Sequence, residues 1–306
     1  MKYFSLFTGI GGLDYGLADW CECVGFSDIK KTSIEIYKKH YPNHKNYGDI
    51  TEINYSELPD FDILTGGFPC QSFSLAGLRK GFTDKKGKKG QMIFYIYDLI
   101  MAKKPKYVVL ENVKGIYNHN NGKTFESVVK LLTFAGYNVR VLLLNALNYG
   151  SAQNRERIIF LCSLDKFEKK IPEIIDNTKI FRDIREKDGE FIFIDYEKHK
   201  DKIEQRHDFS LELIGGYDRV GTLTTQLGCG DKAVYESEQY RYLTPLECER
   251  LQGFPDNWTG GGKQCSKVLC FRQCRKLQHE SVSFQEIFKR ALGWFLNKKP
   301  ISINVT

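Results

Sequence analysis

Phe4-Ser5-Leu6-Phe7-Thr8-Gly9-Ile10-Gly11-Gly12-Leu13-Asp14 is the stretch whose reading decides the fold. The apolar run at 3–6 has strand length. Gly9, Gly11 and Gly12 follow it directly. Glycines after a first strand permit a tight turn and let a ligand approach the backbone. The full GxGxxG dinucleotide fingerprint is absent, so the loop alone supports an ordinary turn equally well.

Outward from this loop the strand signal recurs. Short apolar runs lie at 23–26, 62–65, 107–110, 139–144 and 158–161. Amphipathic stretches at 33–41, 93–102 and 125–134 separate them, with Thr124 expected as an N-cap and Gly136 as a stop. Alternating strand and helix implies an α/β domain with a mostly parallel sheet covered on both faces. Between 163 and 239 the pattern breaks into short runs among charges and glycines, which suggests a small β-rich second domain. Thr244-Pro245-Leu246-Glu247 then reads as a capping box with proline at the first helical position. The expected division is 1–165, 166–240, 241–262 and 263–306.

Gly66-Gly67-Phe68-Pro69-Cys70-Gln71-Ser72 sets a cysteine just past the strand at 62–65. A half-exposed cysteine pinned at a strand end suits a nucleophile, whereas most free cysteines are small buried hydrophobes. Glu111 ends the strand at 107–110, where a carboxyl can serve as an acid or simply cap a loop. Arg155 and Arg157 alternate with Asn154 and Glu156, so both arginines share one face; the plainer reading is a charged edge strand. Asp28 and Asp49 follow short apolar or helical segments, where an acid binds ribose hydroxyls or caps a turn.

Composition narrows the class. The chain has 306 residues, with nine cysteines and six histidines in no metal-ligand spacing. No opening signal peptide and no membrane-length apolar run are read, so a cytoplasmic protein with reduced thiols is expected. The net charge is +7, but residues 263–306 carry nine Lys/Arg against two Glu, and the rest balances. Nucleic-acid binding must therefore come from local patches.

Six blocks in order resemble the DNA (cytosine-5) methyltransferases of bacterial or phage type. They are the glycine segment, Gly48-Asp49-Ile50, the Cys70 segment, Glu111-Asn112-Val113, Gln153-Asn154-Arg155-Glu156-Arg157, and 241–248 through Gly253-Phe254-Pro255. The resemblance covers residues 3 to about 160 and 241–258. It implies a Rossmann-like methyltransferase domain with a small target-recognition domain, and S-adenosylmethionine as cofactor. By motif position, Phe7 packs on that cofactor and Gly9, Ile10, Gly11 and Gly12 approach its methionine portion. Asp28 holds the ribose with Ile29 beside it, and Asp49 the adenine with Ile50; Pro69 and Met92 complete the site. Many relatives carry glutamate where Asp28 stands. The implied catalytic set is Cys70, adding to carbon 6 of cytosine, with Glu111 at ring nitrogen 3; one of Arg155 and Arg157 contacts the cytosine carbonyl oxygen, with Arg157 expected there, and the other holds phosphate or Glu111. Asn112 orients the loop.

The implied substrate is double-stranded DNA with the target base flipped out. Gln71, Ser74, Arg79 and Lys80 are expected on DNA, the last two within a glycine- and lysine-rich loop at 75–90 that closes over the base. Thr222, Thr224 and Gln226 belong to a Thr-Leu-Thr element expected to contact phosphates and base edges. Monomeric action and a cognate restriction endonuclease are expected from the family. After Trp258 the family's Gly-Asn-Ala-Val segment is missing. Read one nucleotide forward, codons for 271–275 can encode Phe-Gly-Asn-Ala-Val, so a lost frame near 260–263 is the expectation, with weaker cofactor binding and stability. Two rival readings are a tRNA-methylating enzyme of the same fold and a non-catalytic DNA-binding remnant.

Overall fold

The computed structural model describes residues 1–69, 92–166, 179–189, 191–195, 197, 212–215, 219–223 and 232–260. Cys70, Gln71, Ser74, Arg79, Lys80, Thr224 and Gln226 lie outside the described residues, as do the loop at 75–90 and the segment 263–306 with its expected change of frame.

All six expected strands form: β1 (Lys2–Leu6), β2 (Glu22–Ser27), β3 (Ile63–Gly67), β4 (Tyr107–Val113), β5 (Asn138–Asn145) and β6 (Glu156–Ser163). They make one sheet in the order β2-β1-β3-β4-β6-β5. β1 to β4 pair in parallel, while β6 runs antiparallel to both β4 and β5. The reversal follows from the connection. Residues 146–155 hold one short 3-10 turn (Ala146–Tyr149) between β5 and β6, which is too short for the crossover that a parallel neighbour needs.

Helices α1 (Gly12–Leu17), α2 (Lys31–His40), α3 (Met92–Lys103) and α4 (Lys123–Phe134) join these strands. Side chains alternate across the sheet as period-two strands require. Val108, Leu110 and Phe160 pack with Ile96, Leu99 and Leu131 of α3 and α4 on one face. Val109, Ile159 and Leu161 pack with Leu13 and Leu17 of α1 on the other. One helix start differs from expectation. The N-cap of α4 is Gly122, at φ 79°. Thr124 lies inside the helix, buried, with its hydroxyl 2.8 Å from His119 Nδ1. That side-chain pairing takes the hydroxyl away from the helix end. Gly136 does end the helix region, at φ 93°.

The second region holds α5 (Phe181–Ile184) and a small sheet of β7 (Glu212–Ile214), β8 (Lys232–Glu236) and β9 (Gln239–Tyr242). Ser237 and Glu238, at φ 51° and 64°, turn the β8–β9 hairpin, the doubly positive backbone that tight hairpins favour. Next comes α6 (Pro245–Leu251), with the expected capping box: Glu247 N donates to Thr244 Oγ1 at 3.2 Å and Thr244 N to Glu247 Oε2 at 2.9 Å. The same Glu247 receives two hydrogen bonds from the buried Arg241 guanidinium, at 2.8 and 2.9 Å. An apolar core joins this region to the large sheet: Ile10, Ile36 and Ala152 pack with Val220, Leu251 and Trp258.

Candidate active site

In an open α/β sheet, ligands gather at the carboxyl ends of the strands, where the strand order reverses. Here the order reverses at β1, which has β2 on one side and β3 on the other. The glycine loop leaves β1 at that point, and the Phe68-Pro69 segment leaves β3 beside it. Because β6 runs antiparallel, its beginning lies next to the end of β4. The fold thereby brings residues from four distant motifs to one edge.

Glu111 and Arg157 meet there. Glu111 pairs with Ile159 and Val113 with Arg157 across the β4–β6 ladder, so the acid and the arginine are diagonal neighbours on one face. Arg157 Nε lies 2.8 Å from Glu111 Oε1, and both side chains are nearly buried. Arg157 also donates from Nη1 to the Glu156 carbonyl at 2.8 Å. Burial lowers the Arg157 guanidinium from its ordinary pKa, while the charge of Glu111 and its hydrogen bond work the other way.

Asn112 points to the opposite face. Its Nδ2 donates to the Phe68 carbonyl at 3.0 Å, and its Oδ1 accepts from Val113 N at 2.8 Å. This amide ties the chain two residues before Cys70 to the strand that carries Glu111.

Arg155 is also buried. Burial lowers its pKa, the nearby Arg157 charge adds to the effect, and Glu111 opposes it. The alternation expected around it holds, since Asn154 is exposed while Arg155 and Arg157 are buried. The charged-edge-strand alternative fails, because β6 is flanked by β4 and β5.

The other expected site residues divide. Phe7 takes φ 50°, a conformation that non-glycine residues avoid and that concentrates at functional sites. Gly11 sits at φ 92°, and a Cβ there would come 2.9 Å from the Tyr37 ring. Glycine is therefore required twice over, by backbone and by space. Asp28, just past β2, accepts from Gly9 N at 2.8 Å and from Lys30 N at 2.8 Å, so it braces the glycine loop. Ile29 beside it is 70% exposed. Pro69 is exposed, and Met92, first in α3, is half-buried. Asp49 accepts from Thr51 N at 2.9 Å in a local turn. Ile50 and Ile10 are core residues.

Residues 220–222 reach the site by a route that sequence reading missed. Asn154 N donates to the Val220 carbonyl at 2.7 Å, and Val220 N to the Ala152 carbonyl at 2.9 Å. Thr222 Oγ1 donates to the Asn154 carbonyl at 2.7 Å. The Thr222 hydroxyl proton thus serves the protein backbone, while its oxygen keeps lone pairs to accept. These bonds dock the target region on the loop that precedes Arg155. Between them opens a cleft of about 390 Å³, lined by Val113, Lys114, Gly115, Asn154, Glu156, Arg157, Gly221 and Thr222. An exposed Lys114–Glu156 ion pair at 2.8 Å crosses its wall.

A glycine loop after the first strand, an antiparallel strand next to the sheet edge, and an acid–arginine pair on the strand whose Asn112 holds Phe68 place the chain in the doubly wound α/β class. The model of the C-5 cytosine-specific DNA methylase family matches residues 1–226 and 196–285, and the chain belongs to that family. It is 34% identical over 275 residues to the Type II methyltransferase M.NlaX of Neisseria lactamica, covering 84% of this chain and 86% of the relative. It is 33% identical over 282 residues to M.HhaI of Haemophilus parahaemolyticus, covering 84% and 85%. With M.HaeII of Haemophilus aegyptius the identity is 35% over 293 residues, covering 92% and 89%. The Entamoeba histolytica methyltransferase EhMeth superposes with a TM-score of 0.73 at 15% identity, covering 97% of this chain and 98% of that one. That likeness concerns the fold. The chain is a DNA (cytosine-5) methyltransferase; the family membership and these DNA-modifying relatives disfavour the tRNA and non-catalytic readings. Among the described residues, no helix is long and apolar enough to cross a membrane.

Proposed function

We propose that the enzyme methylates carbon 5 of a flipped cytosine in duplex DNA, with Cys70 as nucleophile, Glu111 and Arg157 on the base, and S-adenosylmethionine on the glycine loop. The carrying observation is the Glu111–Arg157 ion pair at 2.8 Å, at the end of the strand whose Asn112 holds the Cys70 segment.

The residues present fit the cofactor. Asp28 has each carboxylate oxygen on one backbone N–H, which leaves lone pairs for ribose hydroxyls. Exposed Ile29 offers an apolar surface beside it. S-adenosylmethionine would supply an electrophilic methyl group on a sulfonium, leaving as the neutral thioether S-adenosylhomocysteine once its sulfur–methyl bond has broken.

Cytosine carbon 5 is a weak nucleophile. The Cys70 thiolate adds to carbon 6, forming a carbon–sulfur bond and moving the ring π pair toward carbon 5. Glu111 provides the hydrogen bond or proton at nitrogen 3 that offsets the charge this creates. Arg157 orients Glu111 and can donate to the cytosine carbonyl. Once carbon 5 carries the methyl group, loss of its proton to a base and cleavage of the carbon–sulfur bond return Cys70 as thiolate. Flipping the base costs a few kcal/mol, and the cleft beside Thr222 provides room for the flanking backbone. As in Type II systems, a cognate restriction endonuclease cutting the same sequence is the proposed partner.

The test is transfer of labelled methyl from S-adenosylmethionine to mixed-sequence duplex DNA, with tRNA in parallel and Cys70→Ala as control. Cys70-dependent label in DNA supports the reading. Label confined to tRNA, or undiminished label with Cys70→Ala, overturns it.

A further inference from the structure

We infer that Trp258 is a positioning residue for the cofactor: its indole N–H fixes the glycine loop from behind. The inference rests on the cofactor site proposed above. Trp258 lies outside every motif expected to bind cofactor, near the end of the described chain, yet its Nε1 donates to the carbonyl of Ile10 at 2.9 Å, 248 residues away in sequence. Ile10 is the central residue of the glycine loop and is itself fully buried. The loop also has an internal tie from Gly11 N to the Thr8 carbonyl at 3.0 Å, and Asp28 accepts from Gly9 N. The Ile10 carbonyl accepts a bond from the 253–260 segment.

The indole is held in place for this. It stacks on the His40 imidazole with centroids 3.6 Å apart and planes 5° apart, and on Phe254 at 4.9 Å. His40 Nε2 lies 2.7 Å from the Trp258 carbonyl, which fixes the backbone as well. Glu249 accepts from Asn257 N at 2.7 Å and Thr259 N at 2.8 Å, anchoring both sides of the tryptophan. A side chain clamped by two ring stacks and flanking carboxylate bonds is more than a core filler when its one polar atom meets the loop that the cofactor must approach. Losing a buried hydrogen bond to a carbonyl is destabilising, so the loop would loosen when the indole N–H is lost.

The experiment compares Trp258→Phe, which keeps an aromatic ring but loses the N–H, with Val234→Ala, which disturbs the same core but leaves both the hydrogen bond and the ring stacks. S-adenosylhomocysteine binding is measured by calorimetry on folded protein, and amide exchange of residues 9–13 is followed without cofactor. Trp258→Phe is expected to weaken S-adenosylhomocysteine about tenfold and to speed exchange at 9–13, with DNA affinity unchanged. Val234→Ala is expected to lower the melting temperature while binding the cofactor product normally. Failure of the unaltered protein to bind S-adenosylhomocysteine would sink the functional reading and this inference with it. Normal binding by Trp258→Phe with unaltered exchange at 9–13, beside a binding wild type, would sink the inference alone.

Discussion

Arg157 Nε and Glu111 Oε1 lie 2.8 Å apart, joined diagonally across the antiparallel strands β4 and β6. The pair is nearly buried, so each charge depends on the other for its solvation. Glu111→Gln keeps the shape of the side chain but removes its acid function. Its kcat is expected to fall by roughly 10²–10⁴, with DNA affinity little changed. Single-turnover methyl transfer and DNA binding by filter retention separate the two effects. Loss of DNA affinity without loss of the chemical rate would remove Glu111 from the chemistry.

Asn112 acts at one remove. Its amide holds the Phe68 carbonyl at 3.0 Å, and Cys70 follows two residues later. Asn112→Ala is expected to lower kcat by about 10²-fold, the cost of a displacement near 1 Å in a reacting group. Asn112→Asp keeps the size but cannot donate, and it should fall similarly. A pair of variants with wild-type kcat would show that the Cys70 segment is positioned without this bond.

Asp14 gives the pH dependence. It is fully buried, accepting from Ser5 Oγ at 2.9 Å and from Tyr37 OH at 2.9 Å, and the Tyr37 hydroxyl also lies 2.8 Å from His44 Nδ1. Burial raises its carboxyl from 3.8 to about 6, against the lowering effect of the Ser5 and Tyr37 hydrogen bonds. The folded state therefore binds a proton more tightly than the unfolded chain does. This contribution is fully present below the unfolded pKa and is lost as pH rises through about 6. Its full size is at most about 3 kcal/mol. Asp14→Asn should remove it, since the amide can still accept from Ser5. The stability difference between mutant and wild type should therefore shift in favour of the mutant between about pH 4 and 6 and stay level above. Urea midpoints from pH 4.5 to 8 measure it, and a difference independent of pH would refute the assignment.

Much of this was legible before the structure. Periodicity located six strands and three of the helices, because β-branched runs such as the one at 158–161 and helical stripes such as that at 125–134 are local signals. The direction of β6 was not legible, since it depends on what a ten-residue connection can span. Thr124 misled because a threonine near a helix start can bond a neighbouring side chain as readily as the helix end. Glu111, Asn112 and Arg157 were recognisable by motif, but their pairing needed the strand register. The docking of Val220 on Asn154 and of Trp258 on Ile10 left no signal, because both join segments far apart through backbone carbonyls that any residue possesses.

The Arg241–Glu247 pair tests how far the second region depends on one buried interaction. Arg241 is 1% exposed and Glu247 fully buried. The guanidinium meets the carboxylate through two nitrogens, and burial, which would lower the arginine's pKa, is outweighed by the Glu247 bonds and charge, with Glu236 adding to them. Glu247 also caps α6 through Thr244 N and accepts from Glu186 N at 3.1 Å. Arg241→Met leaves a buried carboxylate without its cation, for which about 3–5 kcal/mol is the usual cost. Glu247→Gln keeps the cap geometry and leaves the guanidinium the Glu236 carboxylate, at 3.3 Å, so a smaller loss is expected. The double replacement Arg241→Met/Glu247→Gln should recover part of that loss, since neither charge is then left unpaired. Chemical denaturation of the four proteins closes the cycle. Strict additivity of the two single losses would mean that the contact, for all its geometry, contributes nothing as a pair.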